Sequence, residues 1–261
     1  MQKILVLNFF PAFTPPKSGG ELRYYHLYRE LSGYFDITLL SPTSTTGRAE
    51  VLTYADTLRE YRVPKEEIHD RLHLALDKEA IGPECSALVC ALSAKCPNAY
   101  HMGYLKLYSS ADMIIHEFPY MANYDLFLGL DKKLRVYNSH NLESNLVEDM
   151  WSGPNAKKYK DYICYLEGKL TTKSHIVFAT SPEEKEGFVE KFKIPESKIR
   201  LAPNGINPGE LPCEMNIVKA DRKKTLFIGS SHPPNIEAVH FIISELSTSC
   251  PEIDFHIAGG C

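Results

Sequence analysis

The segment Ile4-Leu-Val-Leu-Asn-Phe-Phe10, followed by Pro15-Pro-Lys-Ser-Gly-Gly-Glu-Leu-Arg23, predicts the fold class. The first run is short, is interrupted by Asn8 and has no small-residue cleavage site after it. It therefore indicates a buried first strand rather than a signal peptide. Leucines and tyrosines then recur at helical spacing over Glu21–Leu31, which predicts a helix. A strand, a glycine turn and a helix form the repeating unit of a parallel α/β sheet.

The same alternation of short apolar runs and helix-patterned stretches continues along the chain. Further strands are predicted at Asp36–Leu40, Leu58–Val63, Met113–His116, Arg135–Asn138, Ile176–Ala179 and Ile199–Ala202. Further helices are predicted at Ala156–Thr172 and Pro182–Phe192, the second capped by Ser181. Strands that are almost wholly apolar are typical of a sheet covered by helices on both faces. We therefore predict a Rossmann-like, doubly wound parallel sheet.

Two stretches do not follow this pattern. Thr43–Leu52 is rich in Ser, Thr and Gly and predicts a mobile loop. Residues Lys78–Pro97 are harder to assign, and a helical insertion is one interpretation of them.

A boundary between domains is predicted at Asn204–Arg222, where Asn-Gly, Asn-Pro-Gly and a further proline interrupt the periodicity. Strand, helix and strand patterns then restart at Thr225–Ile228, Asn235–Leu246 and Asp254–Ala258. We predict a domain at 1–204, a linker at 205–222 and the start of a second Rossmann-like domain at 223–261. Two strands and one helix leave their apolar faces uncovered, so we expect the natural protein to continue, or another chain to cover this piece.

Composition excludes several classes of partner. The chain has 261 residues, a formal charge of −4 and a pI near 6.2, which argues against a general nucleic-acid binder. No apolar run approaches the roughly 18–20 residues that span a bilayer. The lysines of Ala156–Thr172 fit a solvated face opposite a core-facing stripe, and a peripheral membrane contact is the alternative.

The seven cysteines are an odd number and include no C-x-x-C pair. Cys85, Cys90 and Cys96 lie near His101, but at wider gaps than zinc ligands have. We therefore expect reduced, structural cysteines, no metal site and a cytoplasmic protein.

Gly19 and Gly20 form the first candidate site. Glycines allow a ligand to approach the backbone, and the helix that follows offers unpaired N–H groups and a partial positive charge. A phosphate suits this place, although a tight turn is the other meaning of Gly-Gly, and neither G-x-G-x-x-G nor the P-loop motif is present.

Polar side chains after two later strands form the second candidate site. His140, Asn141 and Glu143 follow one strand, and Glu117 follows another. Ligands of open parallel sheets bind beyond the carboxyl ends of the strands. His140 is suited to bind or orient a sugar hydroxyl, and a helix cap with a satisfied histidine is the alternative.

The domain boundary and the second domain supply two further candidates. Asn204 and Gly205 form a turn that suits a hinge. Phe227-Ile-Gly-Ser-Ser-His-Pro-Pro-Asn235 leads from a strand into a helix start, and its Ser230 and His232 are placed to bind a phosphate. Neither a Ser-His-Asp triad nor paired catalytic carboxylates can be assembled.

Taken in order, these motifs resemble the family-four glycosyltransferases of the GT-B fold. The resemblance covers the whole chain and rests on Gly19-Gly20-x-x-Arg23, His140-Asn141-x-Glu143, the Ser181 helix, Pro203-Asn204-Gly205-Ile206 and Phe227-Ile-Gly-Ser230 with Pro234-Asn235-x-x-Ala238. The family pairs two Rossmann-like domains, an N-terminal one for the acceptor and a C-terminal one for a nucleoside-diphosphate sugar. Its members retain anomeric configuration and typically use no metal or other cofactor.

The resemblance implies roles for particular residues. His140 would be catalytic and lie near the transferred sugar, and Gly19, Gly20, Ser230 and His232 would bind the donor diphosphate. The acceptor would be a sugar, a lipid or a protein, and the remaining residues assigned to acceptor or sugar binding are Arg23, Glu117, Asn141 and Glu143.

The chain also departs from the family pattern. The turn Gly229-Ser-Ser-His-Pro-Pro-Asn235 lacks the arginine and lysine that many members carry there, and the family's glutamate-bearing donor motif is absent. We therefore expect this chain alone to lack full activity. The alternative functions are a non-catalytic carbohydrate- or partner-binding protein and, less favoured, a nucleotide-dependent epimerase or oxidoreductase.

Overall fold

The fold is described from a computed structural model, which covers residues 1–82, 85–205, 223–231 and 233–261. By its internal contacts the chain divides into two compact units, Met1–Asn204 and Gly205–Cys261. No helix in the described residues is both long and apolar enough to cross a membrane.

The first unit is built on an eight-stranded sheet whose strand order is β3-β4-β2-β1-β5-β6-β7-β8. The strands are β1 (Lys3–Leu7), β2 (Asp36–Thr43), β3 (Glu50–Ala55), β4 (Leu58–Pro64), β5 (Met113–His116), β6 (Leu134–Asn138), β7 (Ile176–Ala179) and β8 (Ile199–Leu201). All neighbouring strands are parallel except β3, which pairs antiparallel with β4. The predicted parallel α/β sheet is therefore confirmed, with one antiparallel edge strand added.

Eight α-helices are described between these strands in the part of the first unit outside residues 83–84. They are α1 (Gly19–Leu31), α2 (Glu67–Glu79), α3 (Ser86–Ser93), α4 (Ala99–Tyr108), α5 (Ala122–Leu126), α6 (Glu143–Met150), α7 (Ala156–Lys173) and α8 (Pro182–Phe192). The helix α3 lies within the stretch for which a helical insertion was one interpretation, and most of its side chains are buried.

Strand β1 shows why the sheet is covered on both faces. Its residues Ile4 and Val6 belong to the core cluster that contains Tyr24 and Tyr28 of α1. The alternate residues Leu5 and Leu7 belong to a different cluster, which contains side chains of α4 and α5. Because successive side chains of a strand point to opposite faces, a strand that is apolar at every position needs helices on both sides.

The predicted loop at Thr43–Leu52 is wrong at both of its ends. Strand β2 continues to Thr43, and β3 begins at Glu50, so only residues 44–49 connect them. Most of β3 is exposed, as is common at the edge of a sheet. The Ser, Thr and Gly residues that suggested a loop lie at positions 43–47, and the antiparallel ladder with β4 orders Glu50–Ala55.

A buried cluster of charged side chains connects β5, β6 and α5. The carboxylate of Asp125 accepts hydrogen bonds from His116 Nε2 at 2.8 Å, Arg135 Nε at 2.6 Å and the Tyr104 hydroxyl at 2.6 Å. Burial alone would raise the pKa of Asp125, but the bonds from His116 and Arg135 hold that pKa below its ordinary value. A fully paired carboxylate of this kind fixes the packing of α5 against the sheet.

The described part of the second unit is a strand–helix–strand arrangement. Strands β9 (Lys223–Gly229) and β10 (Ile253–Gly259) are parallel. They are connected through α9 (Pro233–Phe241), a π-helical stretch at Ile242–Leu246 and one further turn at Ser247–Ser249. This order of elements is the one predicted from the sequence.

Candidate functional site

The loops that follow β1, β5 and β6 lie side by side. Strand β5 pairs with β1 on one side and with β6 on the other, and all three are parallel. The loop after β1 leads into Gly19, Glu117 directly follows β5, and residues 139–142 follow β6. A Cβ added to Gly20 would lie 3.9 Å from His140 Nδ1. The structure thus brings the double-glycine turn and the histidine turn together, and we call the space between them the cradle.

The start of α1 leaves two backbone amides open on the cradle. Ser18 caps the helix by accepting a hydrogen bond from the Glu21 N–H at 3.3 Å, and the Glu21 carboxylate accepts one from the Lys17 N–H at 2.7 Å. The N–H groups of Gly19 and Gly20 have no acceptor among the described residues. A Cβ at Gly19 would meet nothing within 4 Å. Free amides at a helix N-terminus suit an anion.

Residues of β4 hold the loop after β1 in place. Glu60 is fully buried, and its carboxylate accepts a hydrogen bond from the Ala12 N–H at 2.8 Å. Arg62 pairs with Glu60 at 2.8 Å and donates to the Ala12 carbonyl at 2.8 Å. The Tyr54 hydroxyl of β3 donates to Glu60 at 2.7 Å. Sequence reasoning missed this set; a charged pair spaced two apart on a strand, and so on one face, was the available signal.

His140 is held by a carboxylate and an aromatic ring. Its side chain is only 6% exposed, and its Nε2 lies 2.7 Å from Glu117 Oε2. The Phe118 ring centroid lies 4.4 Å from that of the imidazole. The other ring nitrogen, Nδ1, is the one that lies near Gly20. His140 is therefore oriented toward the cradle by the protein itself.

Glu117 supports His140 from below the cradle. The residue is fully buried, and its Oε1 accepts hydrogen bonds from the Tyr28 hydroxyl and from Asn138 Nδ2, the latter at 2.9 Å. Its Oε2 faces His140. Both oxygens of this buried carboxylate are therefore engaged within the protein, and the expected direct contact of Glu117 with a sugar or acceptor stays a prediction.

The Arg23 side chain is also engaged within the protein. Its guanidinium donates to Asn204 Oδ1 at 2.8 Å, to the Ala202 carbonyl at 2.9 Å and to Asn138 Oδ1 at 3.3 Å. These contacts fasten the segment after β8 to α1. These three bonds give Arg23 a structural role, and its predicted contact with a sugar or acceptor stays a prediction.

Glu143 begins α6 and is almost fully buried. Its carboxyl accepts hydrogen bonds from the Tyr120 hydroxyl at 2.8 Å and from Asn141 Nδ2 at 3.3 Å. Burial, together with the nearby charge of Glu167, raises the pKa of Glu143 to about 8. Glu143 is therefore buried, whereas Asn141 is exposed, and the assignment of both to acceptor or sugar binding stays a prediction.

The N-terminus of α6 is already neutralised by the protein. The Glu167 carboxylate, from α7, accepts hydrogen bonds from the N–H groups of Glu143 at 3.0 Å and Ser144 at 2.8 Å, and from the Tyr137 hydroxyl at 2.8 Å. Glu184 of α8 accepts a further one from the Leu142 N–H at 3.0 Å. An anion therefore has free amides at α1 and not at α6. Glu167 gave no signal in the sequence, because acidic residues on helices are usually solvated, and Glu184 was identified only as a carboxylate at the start of the Ser181-capped helix.

In the second unit, Ser230 follows β9 directly. Asn235 Nδ2 donates to the Ser230 carbonyl and to its Oγ, both at 3.3 Å, which closes the turn into α9. His232, the other predicted phosphate ligand, lies outside the described residues, as does most of the predicted linker. Asn204 is the last residue of the first unit, and Gly205 is the first residue of the second.

Comparisons with known proteins identify the architecture. No protein-family model matches the chain, and no curated protein matches it in sequence. Among solved structures it is similar to the sucrose-phosphate synthase of Thermosynechococcus elongatus, with 14% identity, a TM-score of 0.58 and coverage of 100% of this chain and 71% of that one. The fold is that of the GT-B glycosyltransferases.

Two further structures share this GT-B fold. The catalytic domain of Arabidopsis thaliana starch synthase IV, bound to ADP and acarbose, has 13% identity and a TM-score of 0.58, with 99% of this chain and 68% of that one covered. The α,α-trehalose-phosphate synthase (UDP-forming) of Burkholderia xenovorans, in complex with glucose-6-phosphate, has 10% identity and a TM-score of 0.57, with 98% and 65% covered. The chain thus spans about two thirds of the length of these enzymes.

Proposed function

We propose that the protein is a retaining glycosyltransferase that transfers a sugar from a nucleoside-diphosphate sugar to an acceptor. The observation that supports this most is the cradle, where two free helix N-terminal amides adjoin the oriented imidazole of His140. Backbone amides that suit an anion and an imidazole that suits a hydroxyl lie side by side. Together they match the two parts of a sugar joined to a diphosphate. The GT-B fold, seen here and in enzymes solved with ADP or glucose-6-phosphate, agrees with this assignment.

The proposal assigns a role to each part of the cradle. Gly19 and Gly20 bind the donor diphosphate, and the positive end of α1 stabilises the charge that grows on the departing phosphate. His140 contacts the transferred sugar. Ser230 and His232 are the further diphosphate ligands that the proposal takes from the sequence. Transfer of this kind needs no metal or other cofactor when helix N-termini supply the positive charge.

The proposal also covers domains, acceptor and location. Residues 1–204 form the acceptor-side domain, 205–222 a linker with its hinge at Asn204 and Gly205, and 223–261 part of the donor-side domain. The acceptor is a sugar, a lipid or a protein, and exposed Asn141 is placed to contact it. The lysine-rich surface of α7 suits a peripheral membrane contact. Six free cysteines among the described residues support a cytoplasmic location.

The test is an assay of the full-length protein with a panel of sugar nucleotides, measuring release of the nucleoside diphosphate. The His140→Ala variant should lose turnover while its thermal unfolding stays cooperative, because the apolar core clusters of the first unit are left unchanged. Wild-type turnover in that variant would refute the role of His140. NMR of the anomeric proton of the product should show retention, and inversion would contradict the mechanism class.

A further inference from the structure

The hydrogen bonds below the cradle determine which nitrogen of His140 carries the proton. We propose that Glu117 is a positioning residue that holds neutral His140 in its Nε2–H form, so that Nδ1 presents a lone pair to a ligand hydroxyl. This inference rests on the proposed function for the identity of the ligand, but not for the tautomer. In this tautomer, the ligand group that His140 Nδ1 binds beside Gly20 is a hydroxyl donor and not a phosphate oxygen.

The first step of the argument concerns the carboxylate. An ionised carboxylate only accepts hydrogen bonds, so the atom 2.7 Å from Glu117 Oε2, His140 Nε2, is the donor. The ionised form is the one that its surroundings satisfy, since the Tyr28 hydroxyl and Asn138 Nδ2 both donate to Oε1. Two donors on Oε1 and the imidazole N–H on Oε2 compensate the burial of the carboxylate charge.

The second step concerns the orientation of Asn138, whose amide oxygen and nitrogen are otherwise interchangeable. Arg23 has only donors, and its guanidinium lies 3.3 Å from Asn138 Oδ1. The amide oxygen must therefore face Arg23, and the amide N–H₂ must face Glu117. Arg23 thus donates to Asn138, Asn138 donates to Glu117 Oε1, and His140 donates to Glu117 Oε2, so the carboxylate accepts from both sides.

The third step concerns the ligand. With the proton on Nε2, the Nδ1 lone pair has no donor among the described residues, and it lies beside the surface of Gly20. A lone pair attracts a hydroxyl and repels a phosphate oxygen. The glycine amides and the imidazole therefore divide the cradle, with the amides for the anion and Nδ1 for a hydroxyl of the sugar.

The isosteric variant Glu117→Gln reverses the arrangement. Tyr28 and Asn138 both donate at the Oε1 position, so the amide oxygen of the glutamine must take that position. Its N–H₂ then faces His140 Nε2, which must become the acceptor, and the proton moves to Nδ1. Tyr28→Phe is the matched control, because it removes one donor at Oε1 and leaves the Oε2 contact with His140 intact.

The experiment is ¹⁵N–¹H NMR of the histidine-labelled protein near pH 8, where imidazoles are largely neutral. The ten histidines are resolved by comparison with His140→Gln. We expect the proton on Nε2 in the wild type and in Tyr28→Phe, and on Nδ1 in Glu117→Gln. A wild type protonated at Nδ1 or in mixed tautomers overturns the proposal, as does a Glu117→Gln variant that keeps the Nε2 proton.

A second readout connects the tautomer to the reaction. In the full-length protein, Glu117→Gln should lower kcat/KM about tenfold, the value of one hydrogen bond of about 1.4 kcal/mol. The release of nucleoside diphosphate is the measurement. An inactive wild type refutes the proposed function but leaves the NMR result standing, so the two proposals fail separately.

Discussion

Gly20→Ala separates the needs of the fold from those of a ligand. Gly20 lies in the first turn of α1 with an ordinary backbone conformation, and the added methyl would lie 3.9 Å from His140 Nδ1, a normal contact. Alanine is favoured over glycine inside helices by about 0.8–1.0 kcal/mol, and we expect about half of that at a helix start. For a unit of this size, the melting temperature should rise by about 1–2 °C.

The same methyl group stands where a ligand would approach the free amides. Filling a close-fitting contact with one extra carbon typically costs about 1–3 kcal/mol. Affinity for a sugar nucleotide should therefore fall about tenfold to a hundredfold. The two effects have opposite signs, so a change in binding cannot be attributed to loss of structure.

The assay combines thermal unfolding with calorimetric titration of a sugar nucleotide into the full-length protein. Gly33→Ala is the matched control, since it lies beyond the other end of α1 and its added Cβ would meet only the Glu30 carbonyl, at 3.4 Å. The control should leave affinity unchanged. The reasoning is refuted if Gly20→Ala binds the nucleotide within twofold of the wild type.

Two further predictions concern buried carboxyls. The pKa of Glu143 is raised from 4.5 to about 8, so the stability that its protonated form contributes is complete below pH 4.5 and is lost as the pH rises to 8. The free energy of unfolding of Glu143→Gln, measured in urea, should therefore equal that of the wild type at pH 4.5 and exceed it at pH 8 by on the order of 3 kcal/mol. Equal stability of the two proteins at both pH values would contradict the assigned burial. Glu60→Gln should weaken the pair with Arg62 and speed hydrogen exchange at the Ala12 amide at least tenfold, and an unchanged exchange rate would show that the loop after β1 is held by other contacts.

Periodicity and strand-end chemistry predicted most of the architecture. Strands β5 and β7 and helix α8 have the predicted bounds, because apolar runs buried on both faces and a capped amphipathic helix are decided by local sequence. The edge strand β3 was missed, because its residues face solvent and its order comes from pairing with β4.

The candidate site could be predicted in position but not in contacts. Gly20 and His140 follow parallel strands and lie together beyond the carboxyl ends of those strands, as predicted. Which carboxylates reach a ligand depends on burial in three dimensions. Glu117 and Glu143 follow strands just as a ligand-binding residue would, yet both lie beneath the surface and support their neighbours.

The hydrogen bonds that Glu60 and Arg62 form with Ala12 have an evolutionary consequence. Two side chains near the rim of the sheet set the path of the chain that leads into Gly19. Substitution of Glu60 or Arg62 would therefore alter what the protein recognises without changing any residue that contacts the ligand. Relatives that diverge in specificity should show correlated changes at these two positions and in the loop they grip, even where the glycines and the histidine stay the same.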